Sequence, residues 1–313
     1  RAYPAHDKSH ARETRAVGSV RGFRPEWARK LGERKARECG FDSFPIDPFA
    51  IAADEDIFVE EHKAAQPGVS GGIIFDGPNV GIFYSTAIRS PGFHRFTIGH
   101  ELGHYFLPGH PEELHKVGPL HASKAGFSAG DRPIEIEADH FSSGLLLPGK
   151  LVRNTLDDAP IGLSGIEMLA ELSECSLTAS AIRSAECSPY PMAVVVSQGD
   201  RICYGFLSEG FKQLGPRAYP RKGDLLPASA TRQFNAAPEN VISGARASGE
   251  TTVSDWFEGS SYTVLDEEVI GLGSYGFTLT VFSSEELPED PYETEDEETD
   301  LIESYQPKFA RGR

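Results

Sequence analysis

The five residues His100-Glu101-Leu102-Gly103-His104 constrain this chain more than any other stretch. Histidines four apart meet on one side only if the backbone between them is helical. The chain must therefore supply a helix here and a packed body to hold it. Phe96, Ile98, Leu102 and Phe106 provide the apolar side of such a helix. The spacing lets both imidazoles point at one metal ion. Glu101, about 100° round from His100, reaches a metal-bound water without being a ligand. A zinc ion lowers the pKa of that water, and the glutamate takes its proton and hands it to a leaving amine. His100 and His104 thus read as metal ligands and Glu101 as a general base.

Such a centre needs a third protein ligand and an open fourth position. The segment Ile134-Glu135-Ile136-Glu137-Ala138-Asp139-His140-Phe141 opens the next helical stretch, expected over Ile134–Leu147. Glu135 and Asp139 share one face of it. Glu135 is favoured as the ligand, and Asp139 as the acceptor of a ligand histidine's second N–H. Glu137, about 200° round the helix, is expected to point elsewhere as a solvated surface charge. His110, His115 and His121 fall in an expected loop over 108–133. Each reads first as solvated, with an oxyanion-stabilising or lid role as the alternative. His94 and His140 read as surface or supporting groups, Tyr105 as a packing residue and Tyr84 as a further oxyanion candidate.

Around this pair of helices the chain divides by texture. Residues 1–22 are polar and read as a mobile leader. A first helix follows Pro25 and stops at Gly40, with Trp27 and Leu31 marking its buried side. Ile57–Val59, Gly72–Phe75 and Gly81–Tyr84 are strand-like, the last two joined as a hairpin. Ser90-Pro91 can cap the helix that carries the motif, its better part running from His94 to Leu107. Ser164–Ala185 suggests two short helices around Cys175-Ser176. Beyond Pro189, β-branched and aromatic runs at Met192–Val196, Ile202–Phe206, Ser261–Leu265 and Phe277–Phe282 argue for a mostly-β unit.

Charge limits the partners. The 313-residue chain has a net charge of −17, and 39% of its residues are hydrophobic, enough for a sizeable core. Residues 1–37 carry +7, residues 285–303 carry −11, and the body from 38 to 284 carries −16. A body so acidic repels a phosphate backbone, so direct nucleic-acid binding is not expected. No apolar run approaches the length of a membrane span, and the polar, Arg-rich N-terminus shows no secretory signal. The four cysteines form no CxxC pair and fit free thiols in a reducing cytoplasm.

Arg95-Phe96-Thr97-Ile98-Gly99-His100-Glu101-Leu102-Gly103-His104, with Glu135-x-Glu137-Ala138-Asp139-x-Phe141 and Leu145-Leu146-Leu147-Pro148, resembles the ImmA/IrrE family of zinc metallopeptidases. Ile46–Ala52 is similar to the segment that precedes that family's small sheet. The resemblance covers roughly residues 25–150. Gly99 stands where the family commonly has Ala, and the stretch between His104 and Glu135 is long and rich in Gly and Pro. The resemblance implies a gluzincin-like core with His100, His104 and Glu135 as zinc ligands and Glu101 as base. Manganese is an alternative occupant. It also implies site-specific cleavage of a helix-turn-helix repressor, releasing a stress or mobile-element programme. The pair Leu169–Ser173 and Ser176–Thr178 looks helix-turn-helix-like and is taken as structural, for want of a basic face.

The expected fold is α+β. A zincin-like metallopeptidase domain over 23–160 holds the motif helix beside a small sheet. A helical, helix-turn-helix-like linker over 161–188 follows, then a smaller mostly-β domain over 189–284 that senses a signal or docks the substrate. Residues 285–313 form an acidic disordered tail. A substrate strand is expected to add to a sheet edge near Gly81–Tyr84. The alternative is a regulator that binds the repressor without cutting it, its metal site structural or vestigial.

Overall fold

The structure, a computed structural model, describes residues 24–63, 68–87, 90–124, 132–258 and 262–285. The expected leader at 1–22 and all but the first residue of the expected tail lie outside these.

In chain order the elements begin with helices α1 (Pro25–Glu38) and α2 (Pro48–Asp54) and strands β1 (Phe58–His62), β2 (Val69–Asp76) and β3 (Asn79–Ser85). Then come α3 (Pro91–Phe106), α4 (His110–His115), β4 (Leu120–Lys124), α5 (Pro133–Leu146), α6 (Gly149–Asp157), α7 (Leu163–Ser173) and α8 (Leu177–Cys187). The remainder is β5 (Met192–Gln198), β6 (Arg201–Leu207), α9 (Glu209–Gln213), α10 (Ala230–Asn235), α11 (Pro238–Ser243), β7 (Arg246–Thr252), α12 (Val253–Phe257), β8 (Val264–Gly271) and β9 (Thr278–Ser283). The fold is α+β with two sheets. No helix among the described residues is long and apolar enough to cross a membrane.

The first sheet runs β1-β3-β2-β4, with β1 parallel to β3 and the other pairs antiparallel. Ile73 and Ile82 point from it into a core shared with Ile51, Ile98, Leu102 and Phe141. Two expectations change here. The segment 108–133 is not all loop, because α4 and β4 form within it. And Gly81–Tyr84 is not an edge: β3 is flanked by β1 and β2, so the edges are β1 and β4.

Helix α3 starts at Pro91 rather than His94. The Ser90 side chain accepts from Phe93 N at 3.4 Å, and Pro91 occupies the first turn, where its missing N–H costs nothing. Leu107 leaves the helix in an extended conformation just before Pro108. Helix α5 lies between α1 and α3, and glycine permits both approaches. A Cβ on Gly32 of α1 would stand 2.1 Å from Phe141 O, and one on Gly144 of α5 would stand 2.1 Å from Arg29 O. On the other side, a Cβ on Gly99 would meet Ser142 Oγ at 2.5 Å, and that hydroxyl donates to Phe96 O at 2.8 Å. Gly99 therefore sets the spacing of the two site helices. On the buried side of α1, Trp27 and Leu31 pack against the core while partly exposed, and Ala28, Gly32 and Ala36 are buried beside them.

The second sheet is fully antiparallel in the order β6-β5-β9-β8-β7. One face, with Val194, Val196, Leu279 and Val281, packs on Leu163, Ile166, Ala181 and Ala185 of the α7–α8 pair. The other face, with Ala193, Val195 and Phe282, is covered by Phe211, Trp256 and Phe257. The α7–α8 pair is thus part of this core. Six consecutive residues of α8, Ser180–Ala185, are buried. Sequence reading missed α6, β7 and the short helices α9–α12; of the strand expected at Ser261–Leu265, Ser261 lies outside the described residues, and β8 runs Val264–Gly271.

Candidate metal centre

Helix α3 is buried from Thr97 to His104, a run that includes His100, Glu101 and His104. Helix α5 opens with Pro133 and places Glu135 in its first turn, where the helix dipole favours a carboxylate. Among the described residues His100, His104 and Glu135 form the group able to hold a metal ion. His100 Nε2 and His104 Nε2 are 3.1 Å apart, and Glu135 Oε2 stands 3.4 and 3.5 Å from them. Ligand atoms arranged tetrahedrally at zinc bond lengths are about 3.3 Å apart. The donor set and its spacing therefore fit one small divalent cation.

Each group around the triad has a definite place. Asp139 Oδ1 is 2.8 Å from His100 Nδ1, on the far side of the ring from His104. Glu101 is fully buried, and among the described residues neither of its carboxylate oxygens has a hydrogen-bond partner. The Ser123 hydroxyl of β4 faces it without a well-formed bond. Burial pushes the Glu101 carboxyl up, with the nearby His100 opposing. Burial also pulls the His100 imidazole down, but the Asp139 and Glu135 carboxylates outweigh it and hold the ring at about 10. His104 is pulled down to about 3 by burial. Glu135 is held far below the usual carboxylate range: burial raises it, and the three histidines around it prevail.

Two of the three loop histidines are not solvated. His110 is 0% exposed, with Nδ1 3.1 Å from His104 Nδ1 and Nε2 3.2 Å from Glu137 Oε2. His121, on β4, places Nε2 3.4 Å from Glu135 Oε1, and its ring centroid is 4.8 Å from that of His104. Only His115 is exposed, its Nδ1 2.6 Å from Pro111 O. Glu137 corrects a second expectation. It is 4% exposed, not a surface charge, and accepts from Arg24 N at 2.9 Å. The α5 face opposite Glu135 is covered by the start of α1 and by α4, so an angle of half a turn leads into another interior. The Tyr84 and His94 rings lie 5.1 Å apart, tilted by 47°, with Tyr84 also edge-on to Phe49. Tyr105 packs against the core, and His140 is partly buried, its imidazole pulled down by burial. Alternation in Leu120-His121-Ala122-Ser123 was the one signal that could have placed His121 and Ser123 on a common strand face.

Residues 52–160 match the model of the IrrE N-terminal-like domain, a peptidase family designated M78. That range takes in all four strands of the first sheet and both site helices. No curated protein matches the chain. Among solved structures, a Mycobacterium tuberculosis transcriptional regulator is similar, with a TM-score of 0.55 and 14% identity over 83% of this chain and 76% of the other. At that identity the likeness speaks to the fold.

Proposed function

We propose, on the premise that this chain carries a domain of the ImmA/IrrE family, that it is a metal-dependent endopeptidase acting on a protein partner. The observation that carries the reading is Glu101. A carboxylate buried without a hydrogen bond is costly, and a purely structural metal site has no use for one. Its burial beside His100 and Glu135 supports a general-base role.

In this reading His100, His104 and Glu135 hold the ion. Two imidazoles and one carboxylate suit zinc, and manganese is the alternative. The ion, when bound, polarises the scissile carbonyl and makes water a better nucleophile. Glu101 takes the proton of the attacking water and passes it to the leaving amine. Asp139 holds His100 through Nδ1 so that Nε2 faces the ion. The substrate segment lies along β4, an edge strand that carries His121 and Ser123 toward the centre.

The partner is proposed to be a helix-turn-helix repressor, and the setting the cytoplasm, in keeping with four free cysteines. Similarity to a protein described as a transcriptional regulator supports a regulatory setting. The domain limits proposed are 23–160 for the peptidase unit, 161–188 for the helical pair and 189–284 for the sheet-rich unit. Incubation with the repressor encoded beside this chain, with zinc or manganese, is expected to give one discrete cut by mass spectrometry. E101Q is expected to keep the metal and the partner and to lose the cut. Equal cleavage by E101Q would overturn the reading.

A further inference from the structure

Resting on the metal-centre reading above, we propose that His110 and Glu137 form a relay that orients His104 as a metal ligand. Neither is a ligand itself. An imidazole that binds a metal through Nε2 carries its proton on Nδ1. His104 Nδ1 faces His110 Nδ1 at 3.1 Å, so His110 has to accept there. That places the His110 proton on Nε2, which faces Glu137 Oε2 at 3.2 Å. Glu137 is the acceptor that ends the chain. Its other oxygen accepts from Arg24 N at 2.9 Å, and the Arg24 guanidinium stands 3.4 Å from Oε2. One assignment of protons satisfies every contact from the ion to Arg24.

Burial strengthens the argument. His110 is 0% and Glu137 4% exposed, in a region where Leu114 of α4 and Phe141 of α5 are also buried. An imidazole and a carboxylate placed there cost free energy that leucines would not, unless their hydrogen bonds have a purpose. The two ligand histidines are consequently unequal. His100 leans directly on the Asp139 carboxylate, whereas His104 leans on a neutral ring with a carboxylate behind it. Three helices, α3, α4 and α5, and the residue preceding α1 meet to build the second arrangement.

The test uses the full chain loaded with cobalt(II), reading affinity by competition with a chelator and ligand geometry by the visible d–d spectrum. E137Q keeps the shape and removes the charge; H110F removes the acceptor. Each is expected to weaken cobalt binding about ten- to a hundredfold and to shift the visible bands. Wild-type affinity and spectrum in both variants would overturn the relay. A merely structural role, which lowers the melting temperature and leaves affinity and spectrum alone, would overturn it as well. If H110F fails to fold, E137Q decides. Failure of the wild-type chain to take up one equivalent of cobalt would overturn the metal-centre reading itself, an outcome distinct from an unaffected E137Q.

Discussion

Asp139 Oδ1 lies 2.8 Å from His100 Nδ1, while Nε2 of the same ring faces His104 and Glu135. One turn of α5 separates Asp139 from Glu135, so a single helix face delivers both the carboxylate of the candidate metal group and the partner of His100 Nδ1. D139N keeps the shape but offers His100 a weaker, uncharged acceptor. Its zinc affinity is expected to fall about tenfold or more in a chelator competition. An unchanged affinity would mean that His100 is held by packing alone.

Gly99 and Ser142 make a coupled pair. G99A alone drives a methyl against the Ser142 hydroxyl and is expected to destabilise the fold despite better helix propensity. In an S142A background the same change is expected to stabilise by about 0.5–1 kcal/mol, the propensity gain of Ala over Gly. Urea unfolding of the four proteins of this double-mutant cycle measures the reversal of sign. Two equal effects would show that the helices do not touch through these residues.

Cys175 gives a pH signature away from the metal. Burial raises its thiol to about 11 from an ordinary 9.0, with the Ser173 side chain and Arg95 acting against this. Between those two values the native state keeps a proton that the unfolded chain releases. The group's contribution is therefore whole below pH 9 and fades as pH rises toward 11. Wild-type stability is expected to fall by roughly 1 kcal/mol per pH unit more than that of C175A in this window. Denaturant titrations at pH 8, 9, 10 and 11 read the difference, and parallel slopes would refute it.

Arg183 of α8 ties that helix to α1 and to the end of α5. Its side chain is 3% exposed, donates to Leu147 O from Nε at 3.1 Å and pairs with Glu33 at 2.9 Å and Glu186 at 2.6 Å. R183M preserves length and removes every donor. A loss of about 2–4 kcal/mol is expected, since Leu147 O is left buried and the two glutamates lose their shared cation. Unfolding followed by Trp27 and Trp256 fluorescence measures it. A loss below about 0.5 kcal/mol would place Arg183 among ordinary surface pairs.

The sequence was most legible where one element carried its own period. The apolar flank of α3, the i and i+4 pair on α5 and the runs of β5 and β9 could all be read without knowing their neighbours. What failed to show was whatever depended on a distant partner. Leu120–Lys124 has little apolar content and becomes a strand because β2 offers it a free edge. Arg246–Thr252 is a polar outer strand for the same reason. Glu137 was misplaced because a helical wheel has one inside and one outside, whereas α5 is covered on both. His110 followed Glu137, being buried by a carboxylate 27 positions away.

The clasp of α5 between α1 and α3, with backbone against backbone at Gly32 and Gly144, leaves that helix no room to swing. Glu135 is consequently delivered at a fixed depth, and withdrawing it would mean prising open three helices at once. On the proposed reading, any throttle on this centre would act at its doorway, by admitting or refusing a peptide along β4, while His100, His104 and Glu135 stay put.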